Sequence, residues 1–201
     1  MTNHYFSQHP DARHDEQEFT FELRGFSLRF VTDAGVFSRD RIDFGSVLLI
    51  ETMQIPRAAR VLDVGCGYGP IGLVAAKLAD QGSVTMIDIN ERAVSLARRN
   101  AAQNAIRNVE IRVSDLYSEV SDQTFDVILT NPPIRAGKET VHRIFTEGHA
   151  LLVPGGELWV VIQKKQGAPS ARKKLEETYA RVEEVERSKG YHIFRAIKEE
   201  M

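Results

Sequence analysis

The chain has 201 residues, 42% of them hydrophobic, and a formal net charge of -2. This length and apolar content suit one globular domain with a full core, and they exclude a fibrous or wholly disordered protein. The charge excludes a uniformly basic coat for nucleic acid but leaves local basic patches open. The single cysteine, Cys66, excludes an intramolecular disulfide framework, and without a secretory signal pattern or a long apolar run we expect a cytoplasmic protein.

The N-terminal residues are polar and have no hydrophobic period. We therefore expect residues 1–17 to form a flexible segment and residues 18–201 to form a single domain. The segment carries His4, His9 and His14, but their spacing fits no zinc pattern. We predict no metal site.

Alternating apolar residues on either side of Arg24-Gly25 predict a β-hairpin with a two-residue turn over 19–31. From Val61 onward, short apolar runs alternate with helical stretches. Continuous apolar runs indicate strands covered on both faces, as in a parallel sheet with helices on each side. The predicted strands are "RVLDV", "SVTMIDI", "VEIRV", "FDVILT" and "GELWVVIQ", and the predicted helices lie around 70–80, 91–103, 138–152 and 168–180. Two more strands separated by Lys189-Gly190 complete an α/β sheet of seven strands, mostly parallel with an antiparallel edge pair.

Three glycines follow the first parallel strand in "VLDVGCGYGPIG", which runs from Val61 to Gly72. Gly65, Gly67 and Gly69 allow positive φ and let a ligand approach the backbone closely, at the end of the strand where such sheets bind ligands. A tight strand-to-helix turn accounts for one glycine but not for three. The glycines from Gly67 to Gly72 also satisfy the dinucleotide pattern GxGxxG, so a nicotinamide-dependent oxidoreductase is an alternative.

Acidic residues accompany the first three strands of this unit. Asp63 precedes the glycines on a buried strand, where a carboxylate needs a partner. A cationic ligand such as S-adenosylmethionine supplies one, whereas a pyrophosphate would be repelled. Asp88 can accept both hydroxyls of a ribose, and Asp115 can accept from an adenine amino group. The alternatives are a helix N-cap at Asp88 or Asn90 and a turn acid at Asp115.

Small and apolar residues complete this predicted cofactor site. Ile89 and Leu116, beside the second and third acids, are placed to sandwich the adenine ring. Cys66 lies inside the glycine loop, where a small residue is explained by lack of room. No histidine or other base is adjacent in sequence, so we assign Cys66 no role as a nucleophile.

The segment "LTNPPIRAGK" ends the fourth strand with an asparagine and two prolines. On its own this is a turn signal, because proline lacks the backbone N–H. Asn131, however, should emerge at the same sheet edge as the acids. Its side-chain oxygen and a backbone C=O could hold both N–H groups of an exocyclic amine and aim the lone pair at a methyl sulfonium. Pro132 and Pro133 would fix that geometry, so catalysis would come from positioning, and Ile134 would cover the base as an apolar lid.

The set "DVGCGYG", "MIDIN", "SDLY" and "TNPPI" resembles the class I S-adenosylmethionine-dependent methyltransferases of the small-domain group, which modify exocyclic amines. Upstream, "GVFSRDRIDFGSVLLIE" resembles the segment before the glycine loop in bacterial 16S ribosomal RNA guanine-N2 methyltransferases, and "GYHIFRAIK" resembles their final strand pair. The resemblance runs from about Phe19 to Lys198. It implies a Rossmann-like sheet, S-adenosylmethionine as cofactor and methylation of an RNA amino group, with guanine N2 of 16S ribosomal RNA as the expected target.

The resemblance also places functional residues in this sequence. The base-amino site is expected at Asn131, Pro132, Pro133 and Ile134, although the fourth position is usually aromatic in the family. Together with the reasoning above, the expected cofactor-binding residues are Phe37, Ser38, Asp63, Gly65, Cys66, Gly67, Asp88, Ile89, Asp115, Leu116 and Asn131. The longer members of the family carry a second, N-terminal domain.

A basic rim is predicted near the same site. Arg135 and Lys138 follow the catalytic turn, and Lys164 and Lys165 follow the fifth strand, so we predict that they contact RNA phosphates. The alternative is a solvated helix face, since "ARKKLEE" has acidic partners at helical spacing. The expected partner is ribosomal RNA or a small-subunit particle. A non-catalytic RNA-binding or assembly module is a further alternative, which the intact "NPPI" argues against.

Overall fold

The computed structural model describes residues 6–201, which form a two-stranded sheet, a seven-stranded sheet and five α-helices. The strands are β1 (Gln17–Leu23), β2 (Phe26–Thr32), β3 (Arg60–Val64), β4 (Ser83–Asp88), β5 (Val109–Val113), β6 (Phe125–Thr130), β7 (Leu152–Gln163), β8 (Arg181–Ser188) and β9 (Tyr191–Ile197). The helices are α1 (Phe44–Thr52), α2 (Pro70–Leu78), α3 (Glu91–Gln103), α4 (Lys138–Leu151) and α5 (Ala168–Thr178), with 3₁₀ turns at Ile134–Ala136 and Lys164–Gln166. In this described part of the chain, no helix is both long enough and apolar enough to cross a membrane.

The N-terminal hairpin pairs β1 with β2 in antiparallel register, as the sequence predicts. Its two turn residues, Arg24 and Gly25, have φ values of 51° and 79°, which is the conformation of a tight hairpin turn. Asn100 of α3 joins the hairpin to the rest of the domain. Its side chain accepts from the Val31 N–H at 2.7 Å and donates to the Val31 carbonyl at 3.0 Å. The hairpin is therefore fixed against α3.

The large sheet has the strand order β5-β4-β3-β6-β7-β9-β8. All strands run parallel except β9, which is antiparallel to both β7 and β8. The predicted α/β sheet is confirmed. Strands β4 and β5 lie on one side of β3, and β6 and the later strands lie on the other side. The strand order therefore reverses between β3 and β6, and ligands bind such sheets at this point. Because Val64 pairs with Thr130, the loops that follow β3 and β6 lie side by side at this point.

Helix α1 lies before β3 and is not among the helices predicted from apolar periodicity. Its sequence "FGSVLLIET" is apolar on several sides, so it lacks the single apolar stripe that marks a surface helix. The helix begins at its N-cap Asp43, whose carboxylate accepts from the N–H groups of Gly45 and Ser46 at 3.1 and 3.3 Å. It packs against β7 and α2, which places its first turn beside the end of β6.

Residues 6–16 contain no helix or strand, but they contact the first turn of α3 and the loop after β2. The Gln8 carbonyl accepts from the Glu91 N–H at 3.1 Å, and Arg92 donates to the Pro10 carbonyl at 3.3 Å. His14 contacts the buried carboxylate of Asp33. The flexibility expected for residues 1–17 stays a prediction, and its first five residues, His4 among them, lie outside the described part of the chain.

Candidate active site

A cavity of about 320 Å³ opens at the carboxyl ends of β3, β4, β5 and β6. It brings together residues that are far apart in the chain but were predicted to share one site. The predicted residues that line it are Phe37, Ser38, Gly65, Cys66, Gly67, Asp88, Ile89, Asp115, Leu116, Asn131, Pro132 and Pro133. Its volume lies at the lower end of the range for small-molecule pockets.

Two of the predicted cofactor and base residues do not line this cavity. Asp63 is fully buried behind the glycine loop. Ile134 is half-buried and packs against the core beside α4. Ala136, Thr140 and Ile144, which were not predicted as site residues, line the cavity beyond the two prolines.

The glycine loop leaves open space on the cavity side. Gly65 and Gly67 have φ values of 73° and 56°, and a Cβ atom built on either one would have no neighbour within 4 Å. The N–H groups of Gly65 and Cys66 both donate to the Ile87 carbonyl at 2.9 Å, which fixes the loop to β4. Gly72 is different, because a Cβ there would lie 2.7 Å from Met86 Cγ. The last glycine of the apparent dinucleotide pattern is thus explained by packing alone.

Asp88 accepts two backbone hydrogen bonds and still faces the cavity. One oxygen accepts from the Gly67 N–H at 2.8 Å and the other from the Asn90 N–H at 2.9 Å. Burial raises the pKa of Asp88 to about 6, against the opposing effect of these N–H groups and that of Ile89. The N-cap of α3 is Asn90, not Asp88. Each carboxylate oxygen has a further lone pair, so Asp88 can also accept from ligand hydroxyls.

Asp63 is a fully buried carboxylate, and neither of its oxygens has a hydrogen-bond partner of normal geometry in the part of the chain that the structure describes. Burial raises the pKa of Asp63 to about 7, and the negative charge of Asp88 raises it further, while the nearby Gly72 N–H lowers it. Two carboxylates therefore lie under the loop, one of them at the cavity surface. The negative charge of Asp88 at the cavity surface favours a ligand with a positive centre, such as the sulfonium of S-adenosylmethionine, and disfavours the pyrophosphate of a nicotinamide cofactor.

Two residues that line the cavity have a backbone conformation that side chains disfavour. Ser38 and Leu116 have φ values of 56° and 48°, in the left-handed region. Ser38 is held by its neighbours, since its carbonyl accepts from the Tyr68 hydroxyl at 3.1 Å. Strain of this kind persists where the surrounding structure imposes it and is common at binding sites. Asp115, next to Leu116, is exposed and lines the same part of the cavity.

Asn131 lies half-buried where β6 ends, and its side chain has defined partners. Its Nδ2 donates to Ser46 Oγ at 2.9 Å and lies 3.4 Å from each carboxylate oxygen of Asp43. The Pro133 carbonyl accepts from the Ala136 N–H at 2.9 Å. Within the described residues, no hydrogen bond uses the Pro132 carbonyl, so this acceptor is available beside the cavity.

Several residues of this site were not predicted from the sequence. Asp43, Ser46 and Tyr68 line the cavity, the first two from the start of α1 and the third from the glycine loop. Burial raises the pKa of Tyr68, and the negative charge of Asp43 adds to this effect. The only sequence signal for Asp43 and Ser46 was the family resemblance of their segment. Among residues 6–201, no group of three or more His, Cys, Asp or Glu side chains is arranged to hold a metal ion.

The four predicted RNA-binding cations are exposed residues of loops and helix ends at the carboxyl edge of the sheet. Arg135, Lys138, Lys164 and Lys165 form no ion pair with any described residue, and none of them lines the cavity. The helix "ARKKLEE" behaves differently, because Arg172 pairs with Glu176 at 2.8 Å and Lys174 lies 3.7 Å from Glu177. The alternative of a solvated, ion-paired helix face therefore describes α5 but not the four cations.

The comparisons with known proteins agree with this geometry. Residues 27–195 match the family described as "Methyltransferase small domain". The Bacillus subtilis protein YbxB is 52% identical over 200 residues, which cover 98% of this chain and 100% of YbxB. Ribosomal RNA small subunit methyltransferase C of Pasteurella multocida is 38% identical over 138 residues, which cover 67% of this chain and 42% of that protein.

A solved structure gives a similar result at the level of the fold. The T. thermophilus 16S rRNA N2 methyltransferase RsmC, in complex with AdoMet and guanosine, superposes with a TM-score of 0.81 at 25% identity. The match covers 91% of this chain and 50% of RsmC. The chain therefore spans about half the length of the two ribosomal RNA methyltransferases that it resembles.

Proposed function

The chain belongs to the methyltransferase small-domain family, and from this premise we propose that it transfers a methyl group from S-adenosylmethionine to an exocyclic amino group of RNA, with guanine N2 of 16S ribosomal RNA as the target. The names of its relatives and the guanosine in the RsmC complex support this target. Family membership favours a methyltransferase over the nicotinamide-dependent oxidoreductase that the glycine pattern alone allowed.

One observation carries the proposal. The glycine loop and Asp88, which suit an adenosine cofactor, open into the same cavity as Asn131, Pro132 and Pro133. A residue set able to hold the methyl donor thus faces a set able to hold an amine. A non-catalytic RNA-binding module would need no such arrangement of amine acceptors.

The proposed reaction depends on positioning rather than on a strong base. When bound, S-adenosylmethionine supplies a methyl group on a positively charged sulfur. The Asn131 side-chain oxygen and the Pro132 carbonyl accept the two N–H groups of the target amine and direct its lone pair at the methyl carbon. A C–N bond forms as the C–S bond breaks, the sulfur keeps the bonding electrons, and the methylated nitrogen loses one proton to solvent. Holding both reactants in this geometry lowers the entropic cost of their encounter.

RNA would approach from the carboxyl edge of the sheet, where Arg135, Lys138, Lys164 and Lys165 pair with no carboxylate among residues 6–201. A fifth cation, Lys189, lies in the β8–β9 turn at the same edge, with its Nζ 4.7 Å from the centre of the Phe44 ring. The β8–β9 turn contacts the segment that carries Lys164 and Lys165, since the Lys164 N–H donates to the Gly190 carbonyl at 2.7 Å. Unpaired cations at one edge suit a phosphate backbone, which supplies affinity without sequence specificity.

The experiment that tests the proposal is methyl transfer by the purified protein, with S-adenosylmethionine, to naked 16S ribosomal RNA and to small ribosomal subunits. Mass analysis of the nucleosides should show N2-methylguanosine. The Asn131→Ala variant should bind the cofactor within a few-fold of the wild type but transfer methyl groups roughly 10²-fold more slowly, because it loses a preorganised polar group.

The outcomes separate the possible roles of Asn131. If "TNPPI" were only a turn, Asn131→Ala would melt at a lower temperature and methylate normally per folded molecule.

Methylation of another nucleoside would retain the enzyme class and refute guanine N2. Binding of S-adenosylmethionine without transfer to either RNA substrate would refute the proposed RNA target.

A further inference from the structure

The side-chain amide of Asn131 can face the cavity in only one of its two orientations. Its NH2 group lies 3.4 Å from both oxygens of the Asp43 carboxylate and 2.9 Å from Ser46 Oγ. A carboxylate can only accept hydrogen bonds, whereas a hydroxyl can donate or accept. If the amide were turned over, its oxygen would face the negative charge of Asp43. Asp43 therefore selects the orientation that leaves Oδ1 directed away from α1.

From this geometry we propose that Asp43 and Ser46 are positioning residues for methyl transfer, and that they act by holding the Asn131 oxygen towards the target amine. The inference rests on the proposed function, since it concerns the same amine site. In the opposite orientation the NH2 group of Asn131 would meet the N–H groups of the substrate, and donor would face donor.

The N-terminus of α1 makes this arrangement rigid. The Asp43 carboxylate that faces Asn131 also accepts from the N–H groups of Gly45 and Ser46. A Cβ added at Gly45 would lie 2.8 Å from the Tyr191 ring and 3.1 Å from Asp43 Oδ2, so this turn is closely packed and has no room for a side chain at position 45. Ser46 is itself buried. The Asp43 carboxylate thus both caps α1 and orients the side-chain amide of Asn131.

The kinetic experiment uses Ser46→Ala and Asp43→Asn, because asparagine can still cap the helix while no longer excluding the turned amide. Each variant should lower the single-turnover rate about tenfold and leave the cofactor dissociation constant within about twofold, as expected for a misplaced group. Ser170→Ala is the matched control, since Ser170 lies on α5 and does not line the cavity.

A double-mutant cycle tests whether Ser46 acts through Asn131. In the Asn131→Ala background, Ser46→Ala should cause no further loss of rate. An equal fractional loss in both backgrounds would show that Ser46 acts elsewhere and would overturn the inference, while activity of the wild type would keep the proposed function intact.

A measurement without RNA makes the test independent of activity. In the ¹H–¹⁵N spectrum of the free protein, the side-chain NH2 signals of Asn131 are identified by their disappearance in Asn131→Ala. Their exchange with solvent should be slow in the wild type and at least severalfold faster in Ser46→Ala. Equal exchange in both proteins would overturn the inference, even if every RNA substrate failed.

Discussion

At the scale of single residues, two carboxylates under one loop have different surroundings and therefore different roles. Asp88 accepts backbone N–H groups and faces the cavity, whereas Asp63 does not face it and has no hydrogen-bond partner of normal geometry among the described residues. Burial raises the pKa of both, to about 6 and about 7. Asp88 is thus suited to bind ligand hydroxyls, whereas Asp63 is placed to hold a proton up to about neutral pH.

Replacing Asp88 tests the binding role. Asp88→Ala should weaken S-adenosylmethionine binding by about 1.5 to 3 kcal/mol, the range for losing a charged acceptor. Titration calorimetry measures the change. Asp115→Ala provides a comparison at an exposed position of the same cavity, where the loss should be smaller because water competes for the hydrogen bond. An unchanged dissociation constant in Asp88→Ala would mean that the carboxylate serves only the backbone of the loop.

The raised pKa of Asp63 predicts a pH-dependent stability. Its value is about 7 in the folded protein and 3.8 in the reference state, so the folded protein holds a proton that the unfolded chain has released. The stability that this proton contributes is present at low pH and is lost as the pH rises towards about 7. Asp63→Asn removes the titration.

The free energy of unfolding of Asp63→Asn, relative to the wild type, should therefore increase by about 3 kcal/mol between about pH 5 and about pH 8. Urea denaturation of the cofactor-free protein at both pH values measures this difference. Equal differences at the two pH values would mean that the Asp63 pKa is close to its usual range.

At the scale of elements, the glycine loop and the helix after it use glycine for two different reasons. Gly67 has a positive φ and open space towards the cavity, while Gly72 is packed against Met86 inside α2. The same substitution should therefore have different effects at the two positions.

Gly72→Ala should destabilise the fold, since its Cβ would lie 2.7 Å from Met86 Cγ, and the expected cost of such overpacking is about 1 to 3 kcal/mol. Gly67→Ala should cost only about 1 kcal/mol of stability through backbone strain. It should weaken cofactor binding more than Gly72→Ala does, because its methyl group enters the cavity. Thermal melting and calorimetry on both variants measure the two effects. If both variants lost stability and cofactor affinity in the same proportion, the assignment of Gly72 to packing and Gly67 to cofactor binding would be wrong.

At the scale of the whole molecule, the cations of α5 form ion pairs with glutamates, whereas the four predicted RNA-binding cations form none with the described residues. This difference predicts where RNA binds. If Arg135, Lys138, Lys164 and Lys165 contact phosphates, each substitution by alanine should reduce the slope of log affinity against log salt by about 1. Fluorescence anisotropy with labelled 16S ribosomal RNA fragments over a salt series measures the slope. Arg107→Ala is the control, because Arg107 is an exposed cation beside the amino end of β5, at the opposite edge of the sheet. Equal slopes for the control and the four variants would remove these residues from the RNA surface.

Local chemistry was sufficient for much of the fold. The Arg24-Gly25 turn, the continuous apolar runs of the parallel strands and the glycine loop each depend on neighbours in the sequence, and they gave the hairpin, the sheet and the place of the cavity. Helix α1 was missed because a helix buried on several sides has no apolar stripe to detect. Strand β7 begins at Leu152, before the predicted "GELWVVIQ", because the pairing with β6 continues across an irregularity.

The sequence by itself determined which residue types line the site, namely the glycines, Asp88 and the Asn131-Pro132-Pro133 turn. Only the tertiary structure decided how they are oriented. Ser46 and Asn131 are 85 positions apart, and their hydrogen bond exists because α1 packs beside the end of β6. Likewise, the position of Asp63 behind the loop follows from the packing of α2 on β4. Contacts between distant segments depend on how elements pack together, and no periodicity or turn signal in one segment contains that information.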